Sequence, residues 1–337
     1  MSRTGAEGKP PWQALPLAIR RAAAETLGAA VRRAARIWGG YAPSVTFRLT
    51  LADGRRAFFK GVNATSNDHM RRALVQEERV YRELGPRLSP WAPAFFGAFK
   101  RADWHVLLLE DLGPADTPPW TAGKARRAAH AYAEFHRATY GQALPRWLPR
   151  SLLWGKLFGR WDELTAEPAG LDHLAALAGA RAAEARAWLD EAVPTLRQAS
   201  KGLATIRPPY SLLHFDTRSD NMRLTGGRLR LFDWPFACAG PPEVDAAAFA
   251  QSIACEGGPA PEDFIAWYAT GLPLRDPVLD HTVATIAGYF ASMAWRPPVP
   301  GLPRLRSIQR RQLRASLAWA ARRLHLPPPS WLEAVPD

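Results

Sequence analysis

The sequence predicts an α+β protein of two lobes: a small N-terminal lobe built on an antiparallel sheet and a larger, mainly helical C-terminal lobe. Three observations predict it. Residues 1–110 alternate helical and β-hairpin patterns, residues 111–120 break every period, and residues 121–337 carry one helical pattern after another, interrupted only by a β-rich stretch at 209–234. With 337 residues, 47% of them hydrophobic, the chain can bury one large core or two smaller ones; disorder, collagen and coiled coil fit poorly.

Each element has its own signal. Leu17, Ile19, Ala23, Leu27, Val31 and Ile37 recur at helical spacing, predicting a helix over 16–38 that stops at Gly39-Gly40. SVTFRLTL (44–51), a turn at ADG and RRAFFKGV (55–62) read as a hairpin. Residues 68–84 form a polar helix with Leu74, Val75, Val80, Tyr81 and Leu84 on one side, and AFFGAFK (94–100) with WHVLLLE (104–110) form a second hairpin. DLGPADTPPW (111–120), with three prolines and a glycine, is a linker between residues 1–110 and 121–337. Beyond it helices are expected at 121–140, 150–165, 171–200, 244–256, 260–271, 277–294 and 303–324.

The net charge is +13, from 44 Lys+Arg against 31 Asp+Glu, which favours a polyanionic partner without naming one. The excess sits at the two ends of the chain, and 111–300 nets −1. Only six basic residues are Lys, so compositional bias explains the charge better than nucleic-acid binding does, and no recognition motif accompanies it. Cys238 and Cys255 stand alone, which leaves a disulfide framework and a zinc site unsupported. MSRTGAEGKPPW has no apolar stretch of signal-peptide length, and no run of ~18 apolar residues could span a membrane. A cytoplasmic protein is the expectation; oligomeric state is left open.

The chemistry concentrates in PYSLLHFDTRSDNMRLTGGRLRLFDW (209–234). An eight-residue polar loop leads into a hairpin turning near 226–227, so Asn221 and Asp233, 12 residues apart, can converge. Two hard oxygen ligands at that point suit Mg²⁺ that also holds phosphate oxygens. Asp216 then sits beside the metal and can accept a hydroxyl proton. Asp and Asn are also ordinary turn residues, but the pairing with a carboxylate across the hairpin favours the functional reading.

His214-Phe215-Asp216 through Asn221, with Leu231-Phe232-Asp233-Trp234, resembles the aminoglycoside phosphotransferase family of kinase-like small-molecule kinases, which carries H-x-D-x-x-x-x-N followed by a D-W pair. The resemblance runs from about residue 38 to 325 and implies a protein-kinase-like bilobal fold. It makes Lys60, at the end of AFFK, the residue that reaches the nucleotide phosphates, and places its helix partner at Glu77 of QEERVYREL rather than Glu78. In place of a protein-kinase glycine loop stands Gly39-Gly40-Tyr41-Ala42-Pro43-Ser44, where Ser44 can donate to a phosphate. Leu108 to Gly113 occupies the inter-lobe hinge, with Glu110 and Leu112 candidates to meet adenine through main-chain atoms. GPPEVD (240–245) is similar to the family's G-D-P-x-x-D with Pro241 in place of the first Asp; Asp245 would brace the catalytic loop or simply stabilise a helix start. His214 is expected as scaffold.

The expected activity is ATP- (or GTP-) and Mg²⁺-dependent phosphorylation of a hydroxyl on a small-molecule acceptor, with no specific nucleic-acid partner and no membrane. Alternatives are a kinase-like or basic binding protein, or a housekeeping kinase of the homoserine, choline or sugar type. None of Lys60, Asp216 and Asp233 is lost, which argues against the binding protein. Trp120, Trp147, Trp154, Trp161 and Trp188 suggest an acceptor pocket as apolar and aromatic as acidic, for a neutral or singly charged acceptor. Arg306, Arg310 and Arg314 are expected on the solvated face of the last helix.

Overall fold

In a computed structural model the described residues are 9–38, 44–63, 68–150, 159–225, 228–300 and 302–337. The N-terminal lobe starts with α1 (Leu17–Leu27), capped by Gly28 at φ 67°, whose N–H bonds to Ala24 O. This corrects the helix expected over 16–38: it ends eleven residues early, and Val31–Arg36 forms strand β1. Glycine at the left-handed cap terminates the helix, and pairing with the next strand then outweighs the helical spacing of Val31 and Ile37. The Gly39-Gly40 stop lies outside the described residues.

Four further strands follow: β2 (Val45–Leu51), β3 (Arg56–Asn63), β4 (Phe95–Arg101) and β5 (Trp104–Glu110), with α2 (Asp68–Leu88) between β3 and β4. Their antiparallel order is β1-β2-β3-β5-β4. Two faces follow from the period of two. Ala57 and Phe59 of β3 join Phe47, Val106 and Leu108 in a core closed by α1 and Trp12. Trp12 meets Phe47 and Phe59 edge-on at centroid distances of 5.2 and 5.3 Å. Phe58, Lys60 and Val62 alternate onto the opposite face, where Val62 packs with Leu74 of α2. Lys60 therefore points into the space between sheet, helix and second lobe.

No helix or strand occupies 111–121. The second lobe holds α3 (Ala122–Thr139), α4 (Arg160–Ala166), α5 (Gly170–Ala176), α6 (Ala182–Gly202), α7 (Pro242–Cys255), α8 (Pro261–Ala269), α9 (Asp276–Met293) and α10 (Leu305–Arg323). The helix expected over 171–200 is two, separated by a 3₁₀ turn at Gly179, whose φ of 56° a helix interior does not accommodate. For the helix expected at 150–165, residues 151–158 lie outside the described ones. α9 is buried against α6 and α10. Among the described residues, no helix is long and apolar enough to cross a membrane.

Two small antiparallel pairs line the lobe junction: β6 (Ser211–Leu213) with β9 (Cys238–Gly240), and β7 (Met222–Thr225) with β8 (Arg228–Leu231). The glycine turn between β7 and β8, 226–227, lies outside the described residues. Asp233 stands two residues past β8, in the left-handed region at φ 68°.

Candidate active site

A cleft of about 810 Å³ runs between the lobes, lined among others by Ser44, Lys60, Glu77, Leu112, Asp216, Asn221 and Asp233. At its centre the Lys60 ammonium donates to Glu77 Oε2 and to Asp233 Oδ1, each at 2.6 Å. Three residues from β3, α2 and the segment after β8 thus meet at one cation. Burial opposes the Lys60 charge, but the Asp233 and Glu77 carboxylates outweigh it and lift the pKa above its ordinary value. Glu77, 1% exposed, is pushed up to about 7 by burial, against the pull of Lys60. Lys60 also offsets the burial of Asp233 and holds that carboxyl below the usual range. Glu78 turns aside, accepting from Arg82 Nε and pairing with His105 Nε2, both at 2.6 Å.

The loop between β6 and β7 is held from below. Asp245, fully buried at the start of α7, accepts from the main-chain N–H of His214 (2.6 Å) and Phe215 (2.9 Å), from Tyr132 Oη (2.7 Å) and from His136 Nε2 (3.4 Å). Burial alone would raise its carboxyl; hydrogen bonds and charge from His136, then Tyr132, keep it below the usual range. Tyr132 Oη also meets Thr217 Oγ1 at 2.7 Å, and His136 Nδ1 meets Tyr268 Oη at 2.6 Å. Phe215 is held at φ 66°, a conformation that persists only where surrounding contacts impose it. His214 donates from Nε2 to Phe232 O (2.9 Å) and accepts at Nδ1 from the Asp216 N–H (3.3 Å), so both ring nitrogens are consumed in joining the loop to the segment before Asp233.

Asp216 and Asn221 meet at the loop's upper face. Asn221 donates from Nδ2 to Asp216 Oδ2 and to Asp216 O, both at 2.9 Å. That leaves Asn221 Oδ1 an uncommitted acceptor among the described residues, while Asp233 keeps 32% of its side chain accessible. One carboxylate and one amide oxygen are hard donors that would suit a divalent cation sharing phosphate oxygens. Among the described residues no group of three or more His, Cys, Asp or Glu forms a cage for a metal held by protein alone.

At the hinge, the Glu110 N–H bonds to Ala94 O (2.9 Å), and its carboxylate is taken by Arg230 (2.5 Å) and the Ala94 N–H (3.0 Å). The Leu112 main chain has no hydrogen-bond partner among the described residues, leaving it open to the edge of a base. Ser44 is buried and lines the cleft; residues 39–43 of the loop expected to cover the phosphates lie outside the described residues.

Several cleft residues have no place in the sequence reading. Arg48 of β2 bonds to Asp111 (3.2 Å) and Gly113 O, and Arg223 of β7 donates to the same carbonyl at 3.2 Å while lying over the Phe232 ring. Arg218 grips Asp216 through Nε at 3.1 Å and also faces Asp220 at 3.5 Å. Its position inside HFDTRSDN was the available signal. Conversely, among the described residues Trp120, Trp147, Trp161 and Trp188 do not line the cleft. Trp120, Trp161 and Trp188 are buried in the lobe core with their indole N–H groups bonded to Glu256, Ala284 O and Pro327 O, Trp147 stacks under Arg79, and Trp154 lies outside the described residues. The Arg stripe of α10 departs from a solvated face too: Arg306 and Arg310 are half-buried against main-chain carbonyls, and Arg314 bonds to Val335 O and Asp337 near the C-terminus.

A model of the phosphotransferase enzyme family matches residues 33–278, a span that includes every residue named at the cleft centre. No curated protein matches the chain. Among solved structures, spectinomycin phosphotransferase in complex with ADP and spectinomycin superposes with a TM-score of 0.58 at 12% identity, over 94% of this chain and 96% of that one. The macrolide 2′-phosphotransferase of Brachybacterium faecium gives 0.55 at 15% identity (92% and 97% covered). Amicoumacin kinase, bound to AMP-PNP and Ca²⁺, gives 0.55 at 13% (89% and 92% covered). At these identities the likeness is one of fold.

Proposed function

The chain belongs to the phosphotransferase enzyme family, and from that membership we propose that it transfers the γ-phosphoryl group of ATP or GTP to a hydroxyl of a small-molecule acceptor. The observation that carries the proposal is the convergence of Lys60, Glu77 and Asp233 at 2.6 Å contacts, beside the Asp216–Asn221 pair, in one inter-lobe cleft. Phosphoryl transfer through a loose transition state asks a protein for positioning and charge neutralisation, and this set supplies both.

Lys60 grips the phosphates, with Glu77 fixing its direction. Ser44 donates to a phosphate oxygen. Leu112 and the Glu110 carbonyl meet the base through main-chain atoms. Asn221 Oδ1 and Asp233 hold Mg²⁺, which when bound neutralises phosphate charge. Asp216 accepts the proton of the acceptor hydroxyl as its oxygen attacks phosphorus, and Arg218, in contact with that carboxylate, stands where it can follow the charge moved onto the transferring group. Similar folds that bind ADP with spectinomycin, or AMP-PNP with Ca²⁺, support the nucleotide and metal assignments by analogy.

The test is nucleotide titration with and without Mg²⁺. Wild-type protein should bind ATP or GTP in a metal-dependent way, with slow ADP release even without acceptor, and Asp233→Ala should abolish that dependence. Equal Mg²⁺-dependent affinity in the variant would show the metal assignment to be wrong.

A further inference from the structure

The loop between β6 and β7 is fastened to both ends of one helix, and Asp245 accounts for only the first fastening. At the start of α7, Asp245 takes the main-chain N–H groups of His214 and Phe215. At the other end of α7 stands Glu256, half-buried, whose Oε1 accepts from Ser219 Oγ at 2.5 Å. Its second oxygen, Oε2, accepts from the indole N–H of Trp120 at 2.8 Å. Trp120 ends the 111–120 linker between the lobes, is 6% exposed, and packs edge-on against Phe249 of α7 at 5.7 Å. One carboxylate therefore joins the linker, the end of α7 and the loop that carries Asp216 and Asn221, and each of its oxygens is engaged.

The chain around Glu256 is shaped for this junction. Gly257 turns the backbone at φ 78°, and a Cβ at Gly258 would lie 2.8 Å from Trp120 Cβ and 2.9 Å from Ile253 O, so glycine lets the turn close on the indole. A carboxylate at a helix C-terminus is opposed by the helix dipole, and Glu256 forms no ion pair with Lys or Arg among the described residues. What it gains at this place is its two hydrogen bonds. Ser219, 4% exposed, lines the cleft and opens the 3₁₀ turn Ser219–Asn221, which the Asn221 N–H closes on Arg218 O at 3.0 Å. Asn221 O then takes the N–H of Phe232, the residue before Asp233, at 3.0 Å. The grip on Ser219 thus passes by direct bonds to Asn221 and to the segment that carries Asp233.

We propose that Glu256 is a positioning residue for the metal-holding half of the site: by tying Ser219 to Trp120 it sets where Asn221 stands relative to the linker. The proposal rests on Asn221 and Asp233 being the residues that hold the divalent cation. Glu256 itself lines no part of the cleft and acts only through Ser219. The two carboxylates of α7 divide the loop between them. Asp245 fixes the stretch that leads to Asp216, Glu256 fixes the stretch that leads to Asn221, and the helix between them keeps the two anchors a constant distance apart.

The test titrates Mg²⁺ into the full chain with ATP and reads the Mg²⁺ concentration that gives half-maximal nucleotide binding. Glu256→Ala should raise it about tenfold, the cost usual for losing a partner that orients a metal ligand. Nucleotide affinity without metal should barely change, because the Lys60–Glu77 pair forms without Glu256. Glu256→Gln should recover most of the loss, since its amide oxygen can accept from Trp120 while its NH₂ donates to the Ser219 hydroxyl. Ser219→Ala should reproduce the Glu256→Ala shift, and the double variant should shift no further; Ser219→Ala also carries the test if Glu256→Ala fails to fold. Trp120→Phe, which keeps a ring and drops the N–H, should shift the requirement in the same direction by less. A role in stability alone would lower Tm and leave the Mg²⁺ requirement at the wild-type value, and that result in Glu256→Ala or Ser219→Ala overturns the proposal. Hydrogen exchange reads the same claim without any ligand: in Glu256→Ala the amides of Asn221 and Phe232 should exchange at least about tenfold faster while those of His214 and Phe215 keep their protection, and equal protection throughout overturns it too. Asp233→Ala separates the two readings. If that variant keeps wild-type Mg²⁺ dependence, the metal assignment itself fails; if it loses the dependence while Glu256→Ala and Ser219→Ala keep it, this inference alone fails.

Discussion

Replacing Asp245 by Asn tests whether the catalytic loop is held from beneath. The carboxylate accepts four hydrogen bonds, two of them from the consecutive main-chain N–H groups of His214 and Phe215 at 2.6 and 2.9 Å, one to each oxygen. An amide offers one oxygen where the carboxylate offered two. Whichever way it is turned, an NH₂ group faces one of those N–H donors, and either Phe215 or the trio of His214, Tyr132 and His136 loses its acceptor. Each buried donor left unpaired costs about 1–3 kcal/mol, so a loss of roughly 2–5 kcal/mol in unfolding free energy is expected, measured by urea titration. The kinetic effect is separable. Phe215 sits at φ 66° with its N–H bonded to Asp245 Oδ1, and Asp216 follows it directly. A displacement of Asp216 near 1 Å costs about 10²-fold in rate, so kcat should fall by that order. KM for ATP should move less than about threefold, because Lys60, Glu77 and Asp233 are not held by Asp245. A variant that keeps kcat within about threefold, while urea shows the predicted loss, would refute the claim that this network positions the loop.

Two further outcomes follow from the ionic centre. Lys60→Met should stay folded near neutral pH, because Glu77, already raised to about 7, takes up a proton when its cation is removed; the proposed phosphate grip is lost with it, so nucleotide affinity should drop about 10²-fold, and normal activity per folded molecule would mark Lys60 as structural. Glu77 also predicts a pH dependence of stability. Its folded pKa of about 7 lies above the ordinary 4.5, so between those values the folded state binds more protons than the unfolded one, and Glu77's contribution falls as pH rises through that window. Denaturation midpoints from pH 5 to 8 should show a shallower decline in Glu77→Gln than in wild type; identical slopes would contradict the shift.

The elements that were legible in the sequence are those whose pattern and partner are local. Both N-lobe hairpins announced themselves because the turn residues at 52–54 and 101–103 lie between two β-rich runs, so each strand's neighbour is the adjacent stretch of chain. β1 failed for the converse reason. Val31, Ala34 and Ile37 satisfy a helical spacing as readily as a strand, and what decides is the pairing of Val31–Arg36 with β2 after the chain has turned at Gly28. The single helix expected at 171–200 failed on one residue: apolar spacing continues through Gly179, and only its backbone conformation reveals the break.

The site divides along the same line. Asp216, Asn221 and Asp233 were legible because a loop and a hairpin bring them together within 18 residues, and motif spacing encodes that geometry. Lys60 and Glu77 were legible through the family pattern, which stands in for a contact between β3 and α2 that periodicity cannot specify. The arginines of the cleft have neither aid. Arg48, Arg218 and Arg223 come from β2, the polar loop and β7, and each taken alone reads as a surface arginine. The Trp residues misled for the opposite reason: an indole is as useful to a core as to a pocket, and its N–H is satisfied as well by Ala284 O or Pro327 O as by a ligand. The stripe Arg306, Arg310, Arg314 was visible, but a four-residue spacing shows only that side chains share a face. What that face meets is set by the end of α9 and the segment after it, whose carbonyls at Met293, Ala294 and Pro297 take Arg306 and Arg310, and by Val335 O and Asp337, which take Arg314. A charge stripe on a helix therefore shows only that its members share a face, and the elements packed against that face decide whether the arginines meet solvent or main-chain carbonyls.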